Sequence, residues 1–422
     1  MSKSAPPEDD AFAGDKGASL RDRPVPRISI QAFCETPETG AVLQRAAQDR
    51  RLAKAHMTVH TGGIHAAAEH FADSSTPNLV VVETHERGEG VLRGLEALAR
   101  VCDPTTKVIV IGADNDIALY RELIRQGVNE YLVGPLEPLQ VIESISALYA
   151  GPDTGPIGRI FAFVGAKGGV GSSTVAHNTG WCLAEQMSVN TAIVDLDLPF
   201  GTAGLDFNQD PSQGVADALT SPERLDDVLL DRLLVKCGER LSLFAAPATL
   251  ERDYEIDSDA YETVLDIVRQ TVPAVVVDLP HIWTPWARNI LMSADEIIIT
   301  AAPELASLRN AKNLADMFKQ NRPNDNAPRL VLNQVGIIKR PEIPAKDFAE
   351  AVGFDPLLVL PFDPQLFGTA ANNGQMVAEL NANARAAEGF KHLASALLGR
   401  EPKVETKAKS SPILDFFKKK AG

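Results

Sequence analysis

Gly165-Ala-Lys-Gly-Gly-Val-Gly-Ser-Ser-Thr174 follows the apolar run RIFAFVG (159–165) and opens a helix-length segment. That strand–loop–helix setting is the one a phosphate-binding loop requires. Gly165, Gly168, Gly169 and Gly171, with Val170 between the last two, let backbone N–H groups curl round a phosphate without Cβ clashes. A helix starting near Ser172 adds the positive end of its dipole. The Ser173 hydroxyl, with Thr174 beside it, is placed to ligate Mg²⁺. The common pattern G-x-x-x-x-G-K-[ST] puts lysine where this chain has Ser172, so one charge-assisted phosphate contact is missing. A second lysine, Lys167, stands early in the loop.

Outward from the loop, apolar runs recur at helix-length intervals: TAIVDLD (191–197), LSLFAAP (241–247), AVVVDLP (274–280), EIIIT (296–300), RLVLN (329–333) and LLVLP (357–361). They predict a doubly wound α/β sheet covered on both faces over residues 159–400. Asp195 and Asp197 close one of these runs and Asp278 another, at the sheet edge where ligands of such folds bind. One strand-end aspartate reads as a turn cap; two such ends beside one phosphate loop favour a metal and water site. His177 and His281 flank these motifs, and isolated histidines are not assigned a role.

Upstream, RISIQAF (27–33), NLVVVE (78–83), KVIVIG (107–112) and EYLVG (130–134) alternate with helical stretches such as ALYRELIRQG (118–127), which Gly127 ends. They predict a separate parallel α/β unit over 27–150. GPDTGPIG (151–158) is the linker between the two units, and residues 1–26 read as disordered. The 401–422 tail begins polar and ends in SPILDFFKKK (411–420), which places Ile413, Leu414, Phe416 and Phe417 on one helical arc with lysines about it. Such a segment suits an anionic membrane surface, the alternatives being a disordered tail or a short helix that docks on a partner protein.

The chain has 422 residues and a formal net charge of −15, which argues against a protein-wide field attracting nucleic acid. There is no run of about 18 apolar residues and no secretory h-region at the N-terminus. The four scattered cysteines form no CxxC pair and fit a reducing compartment.

Taken together, the KGGxG loop and the strand-end aspartates resemble the deviant Walker A family of MinD/ParA P-loop ATPases. The resemblance implies ATP and Mg²⁺ as cofactors. It implies that Lys167 reaches a partner's nucleotide across an ATP-dependent homodimer, that Asp197 positions water, and that Asp195 and Asp278 sit by the metal. It further implies that Asn333 reads the adenine edge and that Pro361 flanks it. DLPHIW (278–283) departs from the family's D-x-P-x-G by lacking the glycine.

Residues 27–150 resemble a response-regulator receiver whose acidic, acceptor, hydroxyl and lysine positions hold Glu35, Glu83, Gly112 and Gly134. They read as an inactive receiver-like adaptor, the alternative being an unrelated flavodoxin-like spacer. A receiver-like unit joined to such an ATPase resembles the CpaE/TadZ family. This implies a cytoplasmic, weakly hydrolysing localisation factor that acts at a cell pole, peripheral to the inner membrane, with pilus secretion machinery as partner. A ParA-like DNA segregation ATPase and a non-hydrolysing nucleotide-bound scaffold are the other two classes.

Overall fold

A computed structural model of the chain describes residues 25–150 and 157–400. The disordered reading of 1–26 and the linker reading of 151–158 fall almost wholly outside the described residues. The amphipathic tail at 411–420 falls outside them entirely.

The first sheet holds β1 (Ser29–Cys34), β2 (His56–Thr61), β3 (Leu79–Glu83), β4 (Lys107–Gly112) and β5 (Glu130–Val133). Their order is β2-β1-β3-β4-β5 and every pairing is parallel. This is the flavodoxin-like winding, with the switch point between β1 and β3. β3 reads LVVVE and is buried along its whole length, which is why it is a continuous apolar run. Helices α1 (Pro37–Ala47) and α5 (Pro138–Tyr149) pack on one face, and α2 (Ile64–Ala72), α3 (Glu89–Ala99) and α4 (Ile117–Arg125) on the other. Val25 is buried in the first of these cores.

The second sheet runs β13-β12-β11-β6-β10-β7-β9-β8. Its members are β6 (Arg159–Gly165), β7 (Thr191–Asp195), β8 (Val235–Lys236), β9 (Leu241–Phe244), β10 (Ala274–Asp278), β11 (Glu296–Ala301), β12 (Arg329–Val335) and β13 (Leu358–Pro361). All pair in parallel except the two-residue edge strand β8, which is antiparallel to β9. The helices used below are α6 (Ser172–Trp181), α7 (Ala203–Asp206), α8 (Ser258–Thr271), α9 (Pro285–Ser293), α10 (Leu305–Asn321) and α11 (Arg385–Leu397). α8, α9 and α10 cover one face of the sheet; α6 and α11 cover the other. Both faces are therefore dry, as a parallel sheet requires.

The two units meet through charge. Arg50 and Arg51, on a short 3₁₀ turn, reach Asp325, and Arg50 also reaches Asp295 at 3.3 Å. Arg322, just past α10, pairs with the same Asp325 at 2.7 Å, and Lys54 pairs with Asp266 of α8.

Candidate nucleotide site

β6 is buried almost throughout and delivers the glycine loop at the carboxyl edge of the sheet. The loop's carbonyls are held outward by side chains from three directions. Gly165 O lies 3.0 Å from His281 Nδ1, and Ala166 O accepts from Asn310 at 2.8 Å. Gly169 O accepts from Gln334 and Val170 O from Asn333, both at 2.9 Å. Among the described residues, no amide from Lys167 to Gly171 has a hydrogen-bond acceptor. A run of free backbone donors in a loop with four of its carbonyls already taken is a ready cradle for phosphate oxygens.

Gly171 caps α6 with φ +85°, in the left-handed region, and a Cβ there would stand 2.6 Å from the Asn333 amide. Glycine is thus required both by conformation and by close approach. The first turn of α6 carries Ser172, Ser173 and Thr174, all partly accessible. Ser172 Oγ is buried with no hydrogen-bond partner.

The carboxylates gather because β10 and β7 are neighbours in register, with Asp278 opposite Asp195. Both are almost fully buried. Burial, and then the charge of Asp278, push the Asp195 carboxyl up to about 7. Its two oxygens accept from the amides of Asp197 and Ala203, each at 3.1 Å. Asp197 lies two residues past the end of β7 rather than within the strand, on a loop whose turn it caps through Phe200 N at 3.2 Å. Its carboxyl is raised by burial and less so by Asp278.

His177, to which the sequence reading gave no role, stands in the middle of this group. It is wholly buried, with Nδ1 2.7 Å from Asp206 Oδ2 and Nε2 3.3 Å from Asp278 Oδ2. The second approach is an ion-pair distance without hydrogen-bond alignment. Burial opposes charge on the imidazole, but the two carboxylates outweigh it and push His177 up to about 10. His177, Asp195 and Asp278 bring one ligand atom each to within 4.8 Å of one another. Asp278 Oδ1 is buried and without a hydrogen-bond partner. An orphaned carboxylate oxygen fits a site for hydrated Mg²⁺, a hard cation that takes oxygen ligands and keeps water. The available signal for His177 was its place one helical turn beyond Ser173, hence on the same face of α6.

Lys167 is exposed and its Nζ donates to Glu304 at 2.6 Å. That hydrogen bond holds the Glu304 carboxyl below the usual range, although burial opposes it. Asn333 ends up against the glycine loop, with its amide spent on Val170 O, while Pro361 closes β13 next door. In the first unit Glu83 accepts from Thr36 N and from the hydroxyls of Thr36 and Thr39, at 2.7–2.8 Å. A Cβ on Gly112 would strike Tyr131, whose hydroxyl bonds to Asp114 O. The ring fills the space a fourth-strand hydroxyl would need.

Residues 158–328 match the AAA domain family model. The pilus assembly protein CpaE of Caulobacter crescentus is 53% identical over 31% of this chain and 98% of its own, with a TM-score of 0.30. A ParA family ATPase from Chlorobium tepidum is 26% identical over 56% of this chain and 98% of its own, with a TM-score of 0.51. The MinD of Pyrococcus horikoshii, solved with Mg-ADP, shares the fold at 22% identity over 58% of this chain and 99% of its own, TM-score 0.51. Among the described residues, no helix is long and apolar enough to cross a membrane. With its glycine loop, its paired strand-end aspartates and its likeness to ParA and MinD proteins, the chain carries a P-loop ATPase unit of the MinD/ParA type.

Proposed function

We propose that the chain binds ATP with Mg²⁺ on residues 165–174 and, so loaded, pairs with a second copy to act as a localisation factor for pilus assembly machinery. The observation that carries this is the glycine loop itself. Its carbonyls are bound by His281, Asn310, Gln334 and Asn333, and its amides from Lys167 to Gly171 are left to a ligand. In this reading Ser173 and the carboxylates Asp195 and Asp278 hold the cation and its water, which supplies charge neutralisation at the phosphates. Asp197 orients the attacking water, and Asn333 and Pro361 flank the base. Lys167, held by Glu304 within one chain, exchanges that partner for the phosphates of the other copy. Hydrolysis is slow, since Ser172 offers no charge where most phosphate loops place an ammonium. Pilus machinery as partner, the cell pole and the inner membrane as place, come from the CpaE likeness. The net charge of −15 speaks against the DNA segregation alternative.

Calorimetric titration of ATP with Mg²⁺ into the wild type and Gly171→Val tests the binding step. The wild type should bind and the variant should not, because a branched side chain is strained at φ +85° and collides with Asn333. Equal affinity in the two proteins would remove the loop from the site.

A further inference from the structure

We infer that His177 is a positioning residue for the metal carboxylate, set by ion-pair contact against one oxygen of Asp278 while hydrogen-bonded to the segment that carries Asp197. The inference rests on the reading of Asp278 given above. A packing residue between helix and sheet would be apolar, because burying an imidazole costs free energy unless its nitrogens find partners. Here both nitrogens face carboxylates: Nδ1 lies 2.7 Å from Asp206 in a hydrogen bond, and Nε2 stands 3.3 Å from Asp278, an ion-pair approach without hydrogen-bond alignment. The contact falls on Asp278 Oδ2 and leaves Oδ1 as the buried oxygen without a partner. The two oxygens are thereby given different tasks.

The other end of the chain of contacts is equally specific. Asp206 closes α7, and Thr202 Oγ1 reaches the same Oδ2 at 3.4 Å. The first residue of α7, Ala203, donates its amide to Asp195. The segment from 196 to 206, with Asp197 in it, is therefore fastened at two points. Backbone amides bind it to Asp195, and His177 binds its far end to Asp278. A shift of either carboxylate must be felt by that segment. Groups that orient a metal-site carboxylate in this way typically contribute about 10–100-fold to metal affinity.

Full-length protein with ADP, titrated with Mn²⁺ and read by the electron paramagnetic resonance of free Mn²⁺, gives the affinity directly. Thermal unfolding of each variant is recorded alongside. His177→Asn retains an amide near the Nδ1 position but does not reach Asp278, and should weaken Mn²⁺ about 10–100-fold. His177→Gln extends its amide to the Nε2 position and should hold near-wild-type affinity. Asp206→Asn, a partly exposed side chain, should weaken Mn²⁺ by a smaller factor. Unchanged affinity in His177→Asn, or equal loss in the Gln and Asn variants, would overturn the inference whatever the unfolding temperatures do. If the His177 variants do not fold, Asp206→Asn decides, and wild-type affinity there overturns it. A wild type that takes up no Mn²⁺ with ADP would sink the nucleotide-site reading itself, which the variants alone would not.

Discussion

Position 172 is where the loop differs most in charge from the common pattern, and Ser172 Oγ lies buried with no hydrogen-bond partner. A lysine there would bring an ammonium to the β- and γ-phosphate side of the cradle. Ser172→Lys should tighten ATP by about 1.5–3 kcal/mol, less the cost of desolvating the ammonium. Calorimetry on the two proteins measures the difference, and equal or weaker affinity in the variant would mean that another group already fills the role. The residues that could be read from sequence are those whose chemistry is local. The glycines, Ser173 and Lys167 lie in one loop, and each aspartate follows its own strand. His177 could not be read that way. Its partners, Asp206 and Asp278, come from other elements, and only the parallel register that sets β10 beside β7 brings them to it. Asn333 is a similar case, because its bond to Val170 O appears only once β12 is placed across the loop.

Among the elements, the sequence located the strands that carry an apolar run and passed over two edge strands, β2 and β8, that do not. β3, β7 and β10 are buried at every position and read as unbroken apolar runs. β2, HMTVHT, is an edge strand with no fully buried residue, so its period-2 pattern is weak. β8 is two residues long and has no pattern to find. The helical stretch expected over 118–127 is α4, which ends at Arg125 with Gly127 two residues beyond at φ +97°. The receiver-like unit shows why element ends matter for chemistry. Glu83 does end β3, but its carboxylate is taken by Thr36 and Thr39, and Tyr131 fills the space at Gly112. No lysine follows β5, where Gly134 precedes Pro135. Incubation with a small acyl-phosphate donor, followed by intact mass, should therefore give no adduct. A stoichiometric phosphate on residues 27–150 would contradict this.

Across the whole molecule, the contact between the two units concentrates on Asp325, whose side chain is 8% exposed and lies among Arg50, Arg51 and Arg322. Burial would raise its pKa, but the three guanidinium groups outweigh burial and hold the carboxyl at about 2. A folded pKa below the ordinary 3.8 gives stability that is fully present above pH 3.8 and is lost as pH falls through about 2. Asp325→Asn should thus lower stability at neutral pH by roughly 3 kcal/mol, since it leaves arginines uncompensated. The variant should also lose part of the wild type's acid sensitivity in that window. Thermal unfolding of both proteins between neutral pH and pH 2 checks this, and parallel pH curves would mean that the cluster does not hold the units together. Nothing in the sequence pattern announced this contact, because charges far apart in the chain meet only after both units have folded. At the same scale stands the claim on which the functional reading depends, that ATP joins two copies through Lys167. Light scattering during titration with ATP and Mg²⁺ tests it most directly. The mass should rise from one chain to two in the wild type and stay at one in Lys167→Ala. A wild type that remains a single chain at saturating ATP, or is equally dimeric without it, would contradict the claim.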